Sequence, residues 1–174
     1  LLSGCGSFKN KDIVDELNKK LKNSKSYQMT ATLDIYRNEE RYTYDVTSSY
    51  SDGDLFKVNL INKNNNHEQI ILKNSEGVYV LTPSLNKSFK FQSDWPYNNS
   101  QIYLLQPIIT DLNNDSERSF EKVDDGYVLT SKVNYSSEKD FTNQKIYVDK
   151  DKNITKVEVL DKDSNVKMSL TITD

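Results

Sequence analysis

The sequence is poor in the residues on which metal sites, disulfides and phosphate-binding loops depend. Its 174 residues include one cysteine and one histidine. An internal disulfide therefore cannot form, and a zinc site of the usual histidine and cysteine type is excluded. Glycine occurs only five times, and no glycine-rich loop that could cradle a phosphate is present. No stretch approaches the roughly 20 apolar residues that a membrane-spanning helix needs.

The sequence also lacks an excess of basic charge. Its net charge is −3 and its isoelectric point is near 5.3, so the composition gives no reason to expect a nucleic-acid partner. Hydrophobic residues make up 35%, charged residues 28%, and the mean hydropathy is −0.76, which is close to the values of disordered chains. Eleven tyrosines and an aromatic content of 10% favour a folded domain instead.

Alternating apolar residues predict many half-buried β-strands. Between Tyr27 and Ile35 every second residue is apolar, and polar residues lie between them. The same alternation recurs at 42–50, 56–60, 70–72, 89–91, 127–135 and 166–172. Asn, Asp and Gly, which tolerate the backbone of tight hairpins, cluster at 51–54, 63–66, 74–77, 124–126, 149–153 and 161–165. Many short strands with one apolar face predict an antiparallel meander.

Two segments have apolar residues at helical spacing and could cover the apolar face of this sheet. Residues 11–23 form one amphipathic stripe, and residues 98–112 form a second. Pro107 lies inside the second segment and predicts a break or kink there. We therefore expect one long, curved, half-closed antiparallel sheet with helices in its hollow, built as a single domain over residues 11–174.

The cysteine lies in a stretch typical of bacterial lipoprotein precursors. Leu2-Ser3-Gly4-Cys5 matches the lipobox, in which an apolar residue and two small residues precede a lipid-modified cysteine. This pattern predicts that residues 1–4 are the remainder of a signal peptide and residues 5–10 a lipidated tether. The protein is then expected outside the cytoplasm, anchored by lipid on Cys5. The alternative is an ordinary free cysteine near a frayed end.

No catalytic or metal-binding residues are predicted. His67 follows three asparagines at an expected turn, and we interpret it as an exposed loop residue. The segments 149–153 and 161–165 resemble the start of EF-hand calcium loops, but Ile154 and Val166 stand where that loop requires glycine. Both are better interpreted as hairpin turns. A hydrolase with carboxylates scattered along the sequence stays open as a weak alternative.

The single tryptophan lies in Asp94-Trp95-Pro96-Tyr97, just before the second helical segment. Aromatic residues beside a proline-bent segment are often found at surface contacts, so Trp95 and Tyr97 are candidate residues of a partner interface. An equally good interpretation is that they plug the mouth of the half-closed sheet.

These features together resemble the LolA/LolB-like lipoprotein family. The resemblance covers the lipobox, the amphipathic helix, a meander that begins "YQMTATLDI", the Trp-Pro stretch, and a final meander "KIYVDKDKNITKVEVLDKDSNVKMSLTI". It implies a mainly β fold, an unclosed antiparallel β-barrel with helices packed in its concave face.

Within this family the chain is most similar to spore-germination lipoproteins of clostridia. That resemblance implies a non-enzymatic, membrane-anchored partner of a zinc-dependent N-acetylmuramoyl-L-alanine amidase of the CwlD type. The partner would activate the amidase so that muramic-δ-lactam forms in spore-cortex peptidoglycan, at the spore or forespore envelope. Metal and catalysis would belong to the amidase, and no cofactor is expected in this chain.

Two other modes of binding are compatible with the same pattern. A lipid or lipoprotein carrier would bind acyl chains in the hollow, although a lipid-anchored chain cannot shuttle freely and buried tyrosine hydroxyls need partners. The edges of the sheet would present unpaired backbone groups, which predict pairing with a partner or with a second copy of the chain.

Overall fold

A computed structural model describes residues 10–91, 102–135 and 138–174 of the chain. Its helices are α1 (Asn10–Asn23), a short 3-10 helix (Pro83–Leu85) and α2 (Leu105–Asn114). Its strands are β1 (Ser26–Arg37), β2 (Glu40–Ser51), β3 (Leu55–Asn62), β4 (Glu68–Asn74), β5 (Gly77–Thr82), β6 (Lys87–Lys90), β7 (Ser119–Val123), β8 (Gly126–Lys132), β9 (Asn143–Asp149), β10 (Ile154–Leu160) and β11 (Val166–Ile172).

All eleven described strands belong to one antiparallel sheet. Their order is β6-β5-β4-β3-β2-β1-β11-β10-β9-β8-β7, so nearly every strand pairs with its neighbour in sequence. The exception lies in the middle, where β1 pairs with β11 through Ala31 and Ile172 and through Leu33 and Leu170. β6 and β7 stand at the two ends of the sheet and do not pair with each other. The predicted mainly β, unclosed antiparallel architecture is confirmed.

One face of the sheet and one face of each helix form the core. In β1 the odd-numbered residues Met29, Ala31 and Leu33 are buried, as the alternation predicted. Burial of a Met or Leu side chain contributes roughly 1.5–3 kcal/mol. The buried side chains of the helices pack into the same cluster, namely Ile13, Val14 and Leu17 from α1 and Ile108, Ile109 and Leu112 from α2. The helices thus occupy the concave side of the curved sheet.

The second helix begins later than the sequence suggested. Residues 98–101 lie outside the described residues, and α2 starts at Leu105. Pro107 is its third residue, and an N–H in the first turn of a helix has no intrahelical acceptor. The proline therefore removes no helical hydrogen bond, and the predicted break at Pro107 is wrong. Ile102, expected on the helical stripe, lies before the helix but is only 2% exposed.

The predicted turn clusters connect consecutive strands. Positive φ angles occur at Asp54, Asn66, Lys152 and Ser164, as expected for tight hairpins in which residues adopt the left-handed region. Within residues 10–91, 102–135 and 138–174, no helix is both long enough and apolar enough to cross a membrane.

Candidate binding surfaces

The edge strand β6 exposes apolar side chains. Phe89 is 62% exposed and Leu85, two residues before the strand, is 59% exposed. Alternation predicted an inward position for Phe89. It pairs with Val80 on the concave side of β5, but it lies at the open end of the sheet. We call Leu85, Lys87, Phe89 and Lys90 the β6 edge. The outer backbone groups of such a strand can pair with another strand.

A cavity of about 250 Å³ opens between α2 and the hairpin that joins β2 to β3. Phe56, Leu104 and Pro107 give it an apolar wall, while the carboxyl groups of Asp54 and Asp111 lie on its polar side. No lysine, arginine or histidine among the described residues lines it. We call this space the acidic cavity.

The two carboxyl groups of the acidic cavity have few protein donors. The Tyr50 hydroxyl donates to Oδ1 of Asp54 at 3.0 Å. Burial, helped by this carboxylate, raises the pKa of Tyr50 to about 12. The backbone N–H of Asn134 donates to Oδ2 of Asp111 over 3.4 Å. Burial raises the pKa of Asp111, and this weak hydrogen bond offsets the shift only in part.

Tyr27 connects the sheet to the start of α2. Its hydroxyl donates to Oε1 of Gln106 at 2.8 Å and accepts from the backbone N–H of Leu105 at 3.2 Å. The N–H of Leu105 is one of the first four in the helix and has no intrahelical acceptor. The ring stacks on that of Tyr50, with 5.3 Å between centroids. Burial raises the pKa of Tyr27 to about 12. The tyrosine therefore fixes the helix that forms one wall of the acidic cavity.

A second cavity of about 220 Å³ lies beneath the end of α1. Its lining is mostly apolar and includes Leu17, Leu21, Ile109 and Ile154. Nζ of Lys20 donates to the backbone oxygen of Asp151 at 2.7 Å, which connects α1 to the turn between β9 and β10. We call this space the α1 groove.

The residues predicted to carry function are largely outside the described part. Cys5, Trp95 and Tyr97 all lie outside the described residues, so their predicted roles stay predictions. Phe91 is the last residue described before the gap at 92–101, and Trp95 is four positions further along the sequence. His67 is exposed in the turn between β3 and β4, as predicted.

The two calcium-like segments form hairpin turns, as predicted. Oδ1 of Asp149 accepts the backbone N–H groups of Asp151 and Asn153, both at 2.9 Å. Asp161 accepts two backbone N–H groups of the β10–β11 turn in the same way. These carboxylates therefore stabilise turns. In the part of the chain that the structure describes, no group of three His, Cys, Asp or Glu residues could hold a metal ion.

Sequence reasoning missed two buried polar residues that position α2. The Ser48 hydroxyl donates to the backbone oxygen of Tyr103 at 2.8 Å. Nε2 of Gln144 donates to the backbone oxygen of Ile108 and to the Ser131 hydroxyl, both at 3.0 Å. Each residue lies in the inward phase of its strand. The alternation along each strand is therefore a signal that these two positions are buried, although both side chains are polar.

Comparison with known proteins relates the chain to a sporulation protein. No protein-family model matches the sequence. The chain is 41% identical over 167 residues to the sporulation protein YdcC of Bacillus subtilis. The alignment covers 95% of the chain but 49% of YdcC, so the chain spans about half the length of this curated relative.

Solved structures with the same fold include a lipoprotein bound to an amidase. The chain resembles GerS in the structure of the CwlD amidase from Clostridioides difficile in complex with the GerS lipoprotein. The TM-score is 0.53 at 18% identity, with 97% of this chain and 95% of that chain covered. It also resembles a chain of the Pseudomonas aeruginosa MucA/MucB complex, with a TM-score of 0.53 at 13% identity, over 94% of this chain and 56% of that one.

The similar structures also include the LolA superfamily protein NE2245 from Nitrosomonas europaea, with a TM-score of 0.46 at 11% identity, over 97% of this chain and 93% of that one. The predicted resemblance to spore-germination lipoproteins is confirmed at the level of the fold. At these identities the structural similarities show the fold alone, while the relation to a sporulation protein comes from the sequence.

Proposed function

We propose that this chain is a membrane-anchored, non-enzymatic protein that binds and activates a zinc-dependent N-acetylmuramoyl-L-alanine amidase of the CwlD type. Its action would allow muramic-δ-lactam to form in spore-cortex peptidoglycan. The observation that carries the proposal is the β6 edge, an exposed strand with Phe89 62% exposed at its centre. GerS, which shares the fold, is in complex with the CwlD amidase. The similarity to YdcC supports a role in sporulation.

The β6 edge suits a protein partner in its chemistry and its geometry. A strand of the partner can pair with the outer backbone groups of β6, while exposed aromatic and aliphatic side chains supply apolar contact area. Lys87 and Lys90 flank Phe89 and favour an acidic or neutral partner surface. A second copy of the chain could use the same edge, so the proposal includes a homodimer as a form of the free protein.

Activation follows if the amidase has two conformations of different activity. Binding shifts the amidase toward its active, zinc-loaded state. The size of the shift is set by the difference between this chain's binding free energies for the two states. Zinc and catalysis belong to the amidase in this scheme. The helices and sheet of this chain supply a rigid surface, because buried side chains such as Leu17 and Leu112 fill the hollow.

The test combines the purified chain with the sporulation amidase of the same organism. We expect a stable complex by light scattering, higher amidase activity on cortex peptidoglycan, and slower loss of zinc to a chelator. Phe89→Ser should weaken the complex by about tenfold or more, because central aromatic residues of an interface often contribute over 2 kcal/mol. Val123→Ser is the matched control, since Val123 is 38% exposed on the opposite edge strand, β7.

Two results would change the proposal in different ways. If the wild-type chain neither binds the amidase nor alters its activity and zinc retention, the proposed function is wrong. If Val123→Ser weakens the complex and Phe89→Ser does not, the partner is right but the β7 edge carries the contact. Circular dichroism of both variants shows whether their folds are intact.

The α1 groove supports a second candidate, a carrier or receptor that binds acyl chains. Its lining is largely apolar, but its volume of about 220 Å³ is below the roughly 300 Å³ of the smallest usual ligand pockets. The groove therefore has room for only part of one acyl chain. Native mass spectrometry of gently purified protein distinguishes the two functions, because a carrier retains lipid at one molecule per chain.

A further inference from the structure

We propose that the acidic cavity binds an aliphatic cation, an ammonium or guanidinium group on a short apolar stem. The site is separate from the β6 edge and does not depend on the amidase. It brings together residues from the β2–β3 hairpin, from β3 and from α2 with the turn before it.

The charge of the cavity is of one sign. Asp54 and Asp111 both line it, and no basic side chain among the described residues does so. The salt bridges identified among the described residues involve neither Asp54 nor Asp111. A carboxylate that is half-buried without a cation loses solvation and gains no compensating ion pair. A ligand ammonium or guanidinium group would supply the missing charge.

The apolar walls of the cavity favour a ligand with an apolar stem. Phe56, Leu104 and Pro107 present carbon atoms to the interior, so the transfer of methylene groups from water to this cavity is favourable. The rings of Tyr50 and Phe56 also offer aromatic surfaces to a cation. A volume of about 250 Å³ accommodates a side-chain-sized molecule and is small for a sugar chain or a lipid.

The positions of both carboxylates are set by the fold. Asp54 accepts the Tyr50 hydroxyl, and Asp111 is held on α2, whose first turn is bound by Tyr27. Burial raises the pKa of Asp111. A bound cation would stabilise the ionised carboxylate and return that pKa toward its ordinary value, which provides a signature of binding.

The test titrates the full 174-residue chain with n-butylammonium, n-butylguanidinium and the neutral n-butanol, followed by NMR of backbone amides and carboxyl carbons. We expect both cations to cause saturable shifts at residues of the acidic cavity and to lower the pKa of Asp111. Butanol, with the same stem, should bind at least about tenfold more weakly, because a charge-assisted hydrogen bond contributes about 1.5–3 kcal/mol.

Asp111→Asn and Asp54→Asn should each reduce affinity for the cations by about tenfold or more and leave affinity for butanol unchanged. Asp125→Asn is the control, because it makes the same change in net charge at an exposed turn residue between β7 and β8. Equal binding of butanol and the cations, or an equal loss in Asp125→Asn, would overturn the proposal. So would the absence of saturable shifts with either cation.

Two further probes identify the source of the cation. Tighter binding of lysine capped at both backbone ends indicates a side chain of a polypeptide. Tighter binding of cadaverine, a free diamine, indicates a small-molecule ligand whose two ammonium groups contact Asp54 and Asp111. Either result supports the proposed ligand chemistry.

Discussion

At the scale of single residues, the tyrosines of the concave face explain how a polar sequence forms a dense core. Tyr27 contributes its ring to the stack with Tyr50 and its hydroxyl to the start of α2. A phenylalanine could supply the first contact but not the second. Tyr103 is also buried and Tyr135 is partly buried, and desolvation raises the pKa of both. At Tyr27, buried aromatic area is thus combined with hydrogen bonds that fix one arrangement.

Tyr27→Phe should destabilise the fold by about 1–3 kcal/mol at neutral pH, because it leaves the Leu105 N–H and the Gln106 amide without this partner. The difference from wild type should shrink at high pH. The Tyr27 pKa is raised to about 12 in the folded protein, so its contribution is complete below pH 10 and is lost as the pH rises from 10 to 12. Urea unfolding across this range measures both effects.

Tyr42→Phe is the control for this variant, since the Tyr42 hydroxyl donates to the nearby Glu40 at the surface. Its effect on stability should stay within about 0.5 kcal/mol. Equal destabilisation by the two substitutions would contradict the role given to the Tyr27 hydroxyl.

At the scale of elements, the hairpin between β7 and β8 depends on the close approach of two backbones. Gly126 has a φ of +153°, and a Cβ atom placed on it would lie 1.9 Å from the backbone oxygen of Val148 on β9. Real Cβ atoms never come so close to a backbone oxygen. Glycine at this position therefore allows β8 and β9 to pair at their end.

Gly126→Ala should destabilise the protein by at least about 3 kcal/mol, because both the φ angle and the contact with Val148 must change. Gly53→Ala is the matched control. Gly53 also has a positive φ, +86°, but nothing lies within 4 Å of an added Cβ. Its cost should be only about 1 kcal/mol, the strain of the left-handed backbone. Denaturant midpoints compare the two variants, and similar midpoints would refute the close-approach argument.

The elements also show which parts of the fold were predictable. The two-residue period identifies inward positions such as Leu33 directly, so the locations of the strands and the antiparallel meander can be predicted from the sequence. Periodicity carries no information on which strand ends the sheet, so alternation alone predicts an inward position for Phe89. The sequence predicts a break at Pro107 because the start of α2 depends on tertiary partners, Tyr27 and Ser48 among them, that lie far away in sequence.

The acidic cavity was beyond prediction for a similar reason. Asp54 belongs to a turn and Asp111 to a helix, and 56 residues lie between them in the sequence. Each is unremarkable among 26 acidic residues. Only the curvature of the sheet and the docking of α2 bring them into one cavity.

At the scale of the whole molecule, the proposed lipid anchor determines which surfaces can meet a partner. Asn10, the first residue of α1, is only five positions beyond Cys5 in the sequence. At about 3.5 Å per residue, this tether reaches about 18 Å. The start of α1 would then stay close to the membrane surface, so an anchored partner would have to approach within the same layer.

Cys5→Ala should move the protein from the membrane fraction to the soluble fraction with its fold unchanged, because the acylated thioether can no longer form. Ser7→Ala leaves the cysteine intact and should stay with the membrane. Fractionation followed by mass spectrometry of the N-terminal peptide measures both location and lipid mass. Retention of Cys5→Ala in the membrane would show that another part of the protein provides the attachment.

The pairing of β1 with β11 has a consequence for biosynthesis. The ribosome completes β11 only after every other strand of this sequence, yet β11 occupies the middle of the sheet, where Thr30 and Asp174 exchange backbone hydrogen bonds. The hairpins on either side of the β1–β11 pair can form as they leave the ribosome. The β1 edge of the first six strands, however, stays unpaired until translation of this region is nearly over. Nascent chains are thus expected to need chaperone protection during that delay.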